Sequence, residues 1–306
     1  MSRNDHPEIH PDRGSTRGFL FGLAAYGLWG VLPIYFKALA TIAAVDIVAH
    51  RVIWSLPFLR LLLVFGNGRE KVRAAFGTRK TVGILALTAL LIGINWLLYV
   101  YAVTSGHILA ASFGYYLNPL ANVLLGRFVL KEHLSRLQWA AVAIAAAGIS
   151  VLAAGALSQL WISLTLCATF ALYGLLRKVV AVDALTGLTV ETWMLFPLAI
   201  GWIAWRGLSG APVMGSTGTD TALLLLAGVV STTPLLLFTA AARLLRYSTL
   251  GMLQFLAPTL QFLIAVLIYG EPFTRAHAIA FSAIWIALGL YVTALVRAPR
   301  LPQAPE

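Results

Sequence analysis

Ten stretches of mostly apolar residues follow one another along this 306-residue chain, and they constrain its fold more than any other feature. An α-helix needs about 20 such residues, at about 1.5 Å per residue, to cross the hydrocarbon core of a bilayer. The ten stretches are residues 18–37, 46–65, 81–103, 106–126, 136–154, 158–177, 187–205, 220–241, 247–269 and 274–296. The sequence therefore predicts an all-α integral membrane protein with ten transmembrane helices.

The composition agrees with a lipid environment. Hydrophobic residues make up 60% of the chain and charged residues 11%, and the mean hydropathy is +0.86, whereas a soluble domain carries about 25% charged residues. The net charge of +11 does not indicate a nucleic-acid partner, because the cations form short clusters between the apolar runs. The single cysteine, Cys167, has no partner in the chain, so no disulfide is expected.

The distribution of cations predicts the orientation in the membrane. If the N-terminus is cytoplasmic, eighteen of the 22 lysines and arginines fall on the cytoplasmic side, and only Lys37, Arg51, Arg206 and Arg275 fall on the other side. Cytoplasmic loops of membrane proteins carry such an excess of lysine and arginine. Both termini are therefore expected in the cytoplasm, which agrees with an even number of spans.

The second half of the chain repeats the first at an offset near 140. The segment Leu117–Pro119 aligns with Leu256–Pro258, and Glu132 aligns with Glu271. Each half holds five spans, so the second half enters the bilayer upside down, a plan typical of secondary transporters with a substrate site near the midplane. The predicted division is a cytoplasmic N-terminal tail (1–17), a first five-helix repeat (18–155), a second, inverted five-helix repeat (156–296) and a cytoplasmic C-terminal tail (297–306).

Several short strings in the chain resemble one known family. The strings are HRVIWS at 50–55, INW at 94–96, SFGYYLNPL at 112–120, YGLLRK at 173–178, ET at 191–192, FLAPT at 255–259 and EPF at 271–273. They are similar to the RarD branch of the EamA transporters, in the drug/metabolite transporter superfamily, and the resemblance runs from about residue 17 to 296. It implies a ten-helix, multi-pass permease of the inner membrane with both termini inside.

The predicted function is secondary transport of a small metabolite or drug-like solute by alternating access; the alternatives are an integral membrane enzyme or a channel. No nucleotide-binding loop, zinc-spaced His/Cys set or serine elbow occurs, so neither catalysis, a cofactor nor a metal is expected. The expected partners are a small-molecule substrate and membrane lipid. Proton coupling and assembly as a homodimer stay open.

Two charged residues lie within predicted spans, where a charge costs about 2.5–3.5 kcal/mol and needs a reason. Arg51 and its neighbour His50 lie near the outer end of the second span and are candidates for binding substrate. The Arg51 guanidinium suits a substrate carboxylate or phosphate; alternatively this side chain extends to the outer headgroups. Glu191 lies near the cytoplasmic end of the seventh span and is either a proton-coupling group or an anion favoured by the helix N-terminus. The inverted repeat places the two near opposite faces, so no ion pair between them is predicted.

Polar and aromatic residues at depth in the spans complete the candidate substrate site. They are Asn95, Trp96, Tyr99, Tyr115, Tyr116 and Asn118 in the first half, and Tyr173, Thr232, Thr233, Gln254 and Gln261 in the second. Such groups either line a substrate cavity or bond neighbouring helices together. Pro119 and Pro258 occupy matching positions in the two halves and are candidate hinges for switching access; static bends are the alternative.

Overall fold

The computed structural model of the protein describes residues 13–64, 68–129, 131, 135–155, 157–244 and 253–297. Eleven helices occupy this part of the chain, and no strand occurs within it. The helices are α1 (Arg13–Ala38), α2 (Ala44–Val64), α3 (Gly68–Ala75), α4 (Arg79–Thr104), α5 (Ile108–Phe128), α6 (Arg136–Gly155), α7 (Leu157–Val179), α8 (Ala184–Leu208), α9 (Gly218–Leu244), α10 (Leu256–Leu263) and α11 (Arg275–Arg297). Each predicted span except the ninth coincides with one of them; the ninth, 247–269, begins in residues outside the described part and continues through α10 into a short π-helix, Ile264–Ile268.

The fold class predicted from the apolar runs is confirmed. Six helices, α1, α2, α4, α7, α8 and α9, are long and apolar enough to cross a membrane by themselves. The segments Leu256–Ile268 and Arg275–Leu290 are shorter apolar helices. Large apolar side chains such as Leu198 and Leu208 are exposed, as expected of surfaces that face lipid. Helix α3 is a short polar helix in the connection between α2 and α4.

The largest contacts between helices are reproduced when the two halves are exchanged. The exchange replaces α1, α2, α4, α5 and α6 by α7, α8, α9, α10 and α11. It converts the contact of α1 with α9 into that of α7 with α4, and the contact of α5 with α7 into that of α10 with α1. The pairs α2–α8, α5–α10 and α6–α11 map onto themselves. The halves are therefore interleaved with an approximate two-fold symmetry in their helix contacts; the inversion of the second half stays a prediction.

Glycines permit backbone-to-backbone contact between the halves. At Gly228 in α9, a Cβ atom would collide with the backbone of Trp54 in α2. At Gly114 in α5, a Cβ atom would lie 2.7 Å from the carbonyl oxygen of Ser163 in α7. Small residues at crossings of this kind let membrane helices pack closely. These two crossings hold the two halves against each other.

The ninth span is not one continuous α-helix. A turn at Gln254 and Phe255 precedes α10, and after Leu263 the chain continues in π-helical geometry through Ile268. Pro258 therefore lies in the first turn of a helix, where its missing N–H is not needed. In contrast, α5 runs without a break past position 119. The structure does not describe the side chain at this position. The local structures at the two positions thus differ, and their hinge role stays a prediction.

Candidate functional site

Aromatic rings adjoin Arg51, the arginine predicted within the second span. We call Arg51 with the rings of Trp96 and Phe36 the aromatic box. The guanidinium carbon of Arg51 in α2 lies 4.1 Å from the ring centroid of Trp96 in α4 and 6.0 Å from that of Phe36 in α1. The residue is only 5% exposed. A guanidinium over an aromatic face is attracted by the negative face of the ring, more strongly when water is excluded. The side chain therefore does not extend to the outer headgroups but points into the helix bundle.

The guanidinium of Arg51 has no counter-charge among the described residues. No carboxylate in this part of the chain pairs with it, and its Nε atom is buried without a hydrogen-bond partner. Among the described residues, the phenols of Tyr35, Tyr99 and Tyr115 lie near it. A buried charge without a partner is costly, so the positive charge of this box is available to a ligand.

Asn95 fixes the tyrosine next to the box. Its amide nitrogen donates to the carbonyl oxygen of Leu166 (3.0 Å) and to Thr169 Oγ1 (2.9 Å), both in α7. Its Oδ1 then accepts from the Tyr115 hydroxyl at 2.9 Å. The Tyr99 ring lies 5.6 Å from the Tyr115 ring, but the Tyr99 hydroxyl is buried without a partner. Tyr115 is thus held in place, and Tyr99 keeps a free donor.

His50 lies outside the aromatic box although it precedes Arg51 in sequence. Its Nε2 lies 2.8 Å from the carbonyl oxygen of Val213 in the connection between α8 and α9, and its Nδ1 accepts from Trp54 Nε1 at 3.3 Å. Both ring nitrogens are therefore occupied. The geometry favours a tether between α2 and that connection over direct contact with a substrate.

Side chains of α9 and α10 supply further polar groups to the seam between the halves. The hydroxyl of Thr232 donates to Ser55 of α2 at 3.2 Å, and Gln261 donates to the carbonyl oxygen of Trp29 at 3.1 Å. These bonds join helices of opposite halves. The carbonyl oxygen of Gln261 is buried without a partner, as is that of Asn118 in α5. Two acceptors therefore remain free at this seam.

The remaining candidates from the sequence lie in different surroundings. The hydroxyl of Tyr116 is 2.5 Å from Thr259 Oγ1 and joins α5 to α10. Thr233 and Gln254 are half-buried and make no polar side-chain contact with another described residue. Tyr173 belongs to a second cluster, around Glu191.

Glu191 in α8 is fully buried and has three partners. Its Oε1 accepts from Thr88 Oγ1 at 2.8 Å and lies 3.7 Å from Arg177 Nε, and its Oε2 accepts from the Tyr173 hydroxyl at 3.1 Å. Charged groups inside membrane proteins commonly pair in this way. The geometry favours a structural ion pair between α7 and α8. Among the described residues, the ion-pair partner of Glu191 is Arg177 and not Arg51.

The N-terminus of α8 is capped by another acid. Asp183 accepts from the backbone N–H of Thr186 at 3.0 Å, so the helix-terminal role proposed for Glu191 belongs to Asp183. Arg177 connects the cap to the ion pair, because its Nη2 donates to the carbonyl oxygen of Asp183 at 3.0 Å. Gly187 gives this side chain its space, since a Cβ atom there would collide with the guanidinium.

Sequence reasoning missed three groups that the structure places in these networks. Arg177 and Thr88 were not singled out, although Arg177 belongs to one of the family-like strings. Asp46, at the start of α2, accepts from Trp202 Nε1 at 2.7 Å and from Arg206 Nη2 at 2.9 Å, and so ties α2 to α8. The available signal was that Arg206 is one of only four cations on the outer side.

Glu271, in the connection that precedes α11, joins the two halves. Its carboxylate accepts from the backbone N–H groups of Ile108 (2.6 Å) and Leu109 (2.8 Å), the first residues of α5. Burial raises the pKa of Glu271, while these two N–H groups and Lys37 act in the opposite direction. Lys37 itself donates to the carbonyl oxygen of Val103 at 3.5 Å. Glu271 therefore caps the N-terminus of a helix that belongs to the other half.

The chain is similar to known transporters over most of its length. Residues 16–154 match the EamA-like transporter family. An uncharacterized transporter of Vibrio cholerae is 44% identical, with 92% of this chain and 94% of the relative covered. An uncharacterized transporter of Pseudomonas aeruginosa is 45% identical, with 94% and 97% covered. Protein RarD of Escherichia coli is 43% identical, with 92% and 96% covered.

A solved structure, described only as a crystal structure of a protein, shares the fold. It superimposes with a TM-score of 0.59 over 94% of this chain and 99% of its own, at 19% sequence identity. At this identity the likeness concerns the arrangement of helices alone.

Proposed function

The chain belongs to the EamA-like transporter family, in its RarD branch, and from this premise we propose that it is a secondary transporter working by alternating access. Family membership and the relatives make it a multi-pass membrane transporter in general terms. The proposal adds that the cargo is a small solute and that one site faces each side of the membrane in turn. It also places the protein in the inner membrane with both termini in the cytoplasm.

The observation that carries the proposal is the polar and aromatic site at the seam of the two halves. The Arg51 box is built from α1, α2 and α4, and Asn95 ties it to α7 of the other half. Transporters with inverted repeats bind substrate where the repeats meet. A relative rocking of the halves would then open this site to one side or the other.

The polar contacts between helices of opposite halves support such a movement. At the outer end they comprise the Glu271 cap on α5 and the Asp46–Arg206 ion pair. At depth they comprise single hydrogen bonds such as those of Thr232 and Gln261. Each is a discrete contact that can break while the helices stay intact, as a switch between two packings requires.

Reconstitution into liposomes tests the proposal. The purified protein is screened against amino acids, purine metabolites, amphenicols and organic acids, with and without a proton gradient. A carrier shows saturable uptake and counterflow, in which unlabelled solute inside accelerates entry of labelled solute. Flux that rises linearly with concentration and shows no counterflow would indicate a channel, and chemical conversion of the solute would indicate an enzyme.

A further inference from the structure

The unpaired charge in the aromatic box points to the chemistry of the cargo. We infer that the transported solute is a small organic monoanion, whose carboxylate binds the Arg51 guanidinium and the Tyr99 hydroxyl. Its apolar body would lie among the surrounding rings. The inference rests on the proposed transport function and specifies its substrate class.

The first step of the argument is charge. Arg51 is 5% exposed, and no carboxylate of the described residues contacts it. The three phenols nearby are neutral groups and do not replace a counter-ion. An anionic ligand would supply the missing charge, whereas a cationic ligand would add a second like charge at close range.

The second step is the number of charges. The other cations near the bundle interior have partners: Arg177 pairs with Glu191, and Lys37 bonds to the carbonyl oxygen of Val103 and lies beside Tyr269. Within the described part of the chain, Arg51 thus contributes one uncompensated positive charge to the box. A carboxylate neutralises it, whereas a phosphate dianion would leave a net negative charge in a site of low polarity.

The third step is the set of donors. A guanidinium offers its N–H groups in a planar fork that matches the two oxygens of a carboxylate. The Nε of Arg51 and the hydroxyl of Tyr99 are both buried without a partner. The hydroxyls of Tyr35 and Tyr115 instead donate to Leu223 and Asn95. Tyr99 is therefore the tyrosine whose proton remains for the ligand.

The fourth step is the wall of the site. The rings of Trp96 and Phe36 adjoin the guanidinium, and the Tyr99 ring meets the Phe36 ring edge-on at 5.9 Å between centroids. Aromatic walls favour an apolar body over a small hydrated ion. This separates the inferred cargo from inorganic anions such as chloride.

Binding to the purified full-length protein in detergent tests the inference. The ligands are acetate, butyrate, benzoate and phenylacetate, each compared with its own amide, together with benzylammonium, phenyl phosphate and chloride. The readout is tryptophan fluorescence. Because the chain holds nine tryptophans, the same titrations with the Trp96→Phe protein identify the part of the signal that comes from Trp96. At least one carboxylate of the panel is expected to bind roughly ten- to hundredfold more tightly than its amide.

Variants assign this discrimination to the box. Arg51→Gln is expected to remove the preference for carboxylate over amide, and Arg51→Lys to keep a weakened preference. Arg60→Gln changes an exposed arginine of the same helix and is expected to leave the preference unchanged. Tyr99→Phe removes only the free hydroxyl and is expected to weaken carboxylate binding while preserving the fold.

Three results would overturn the inference: every carboxylate binding no better than its amide, an unchanged preference in Arg51→Gln, or chloride alone reproducing the fluorescence change. Tighter binding of phenyl phosphate than of benzoate would contradict the inference that the solute carries a single negative charge. Charge discrimination without saturable flux of any solute would leave the anion site intact and reject the carrier. Saturable flux that does not depend on solute charge would reject the anion site and leave the carrier function standing.

Discussion

Arg51 and Glu191 occupy the same position in repeat-related helices and carry opposite charges. Each follows the first residue of its helix, Ala44 or Ala184, by seven residues, and each is buried. They do not contact each other, because Glu191 pairs with Arg177 while Arg51 lies against Trp96 and Phe36. Glu191 is neutralised within the protein by Arg177, whereas Arg51 is not. The same framework position thus serves packing in one half and remains open for ligand in the other.

The Arg177–Glu191 pair gives the first prediction. Removing one partner of a buried ion pair costs about 3–5 kcal/mol, because the other charge stays buried alone. Glu191→Gln and Arg177→Gln are therefore each expected to lower the melting temperature in detergent clearly, and the double variant to lower it by less than the sum. Purely additive effects would contradict the pairing. A Glu191→Gln protein with normal stability but no proton-gradient dependence of flux would instead make Glu191 the proton carrier.

Gly187 gives the second prediction. A Cβ atom at this position would displace the Arg177 guanidinium, which is the end of a flexible side chain and moves away from its partners rather than breaking the backbone. Gly187→Ala is expected to reproduce part of the stability loss of Arg177→Gln, about 1–3 kcal/mol. Gly201→Ala, in the same helix with open space around it, is the matched control. Equal melting temperatures for the two alanine variants would contradict the placement of Arg177.

Gly228 gives the third prediction. A methyl group at Gly228 would meet the backbone of Trp54, which cannot rotate away, so α2 and α9 must separate. Gly228→Ala is expected to destabilise the protein by about 1–3 kcal/mol and to reduce flux through the disturbed seam. Gly83→Ala in α4, with no atom within 4 Å, is expected to keep both properties. Thermal unfolding and uptake in liposomes measure the effects, and a stable, active Gly228→Ala protein would refute the close crossing.

Glu271 gives the fourth prediction, on pH. Its pKa in the folded protein is raised above the usual value of 4.5 by burial, which outweighs the two N–H groups and Lys37. A raised pKa means that the contribution of Glu271 to stability is fully present below 4.5 and declines as pH rises through the folded-state pKa. The stability of wild type relative to Glu271→Gln is therefore expected to fall across that window and then level off.

Melting temperatures measured in steps from pH 4 to pH 8 check this prediction. Glu70→Gln, at an exposed position in α3, is the control and should follow wild type at every pH. A difference between wild type and Glu271→Gln that grows with pH would show that the cap favours the ionised carboxylate.

Much of the fold follows from hydropathy alone. The predicted fifth span, 136–154, differs by one residue from α6, Arg136–Gly155. The agreement is close because a helix that crosses lipid extends over the whole apolar run. The ninth span was less predictable. Its hydropathy does not reveal the turn at Gln254 and Phe255 or the π-helical end, because these depend on backbone hydrogen bonding and not on composition.

The candidate site was predictable where burial of a charge is costly in itself. This reasoning identified Arg51 and Glu191 as residues that need a partner. It did not identify Arg177, which lies near the end of a span where an arginine can reach water. The inward course of Arg177 depends on the space at Gly187, ten residues further along the chain in α8, and such a tertiary contact leaves no periodic pattern in the sequence.

The Glu271 cap bears on how such a chain arose. The first two peptide N–H groups of α5 obtain their acceptor from the other half, and in a membrane an unsatisfied N–H group is costly. A lone five-helix ancestor would have lacked this acceptor, so it is expected to have worked as an antiparallel pair of identical subunits before gene fusion joined them. Co-expression of the two halves as separate polypeptides should accordingly restore a protein that neither half forms alone.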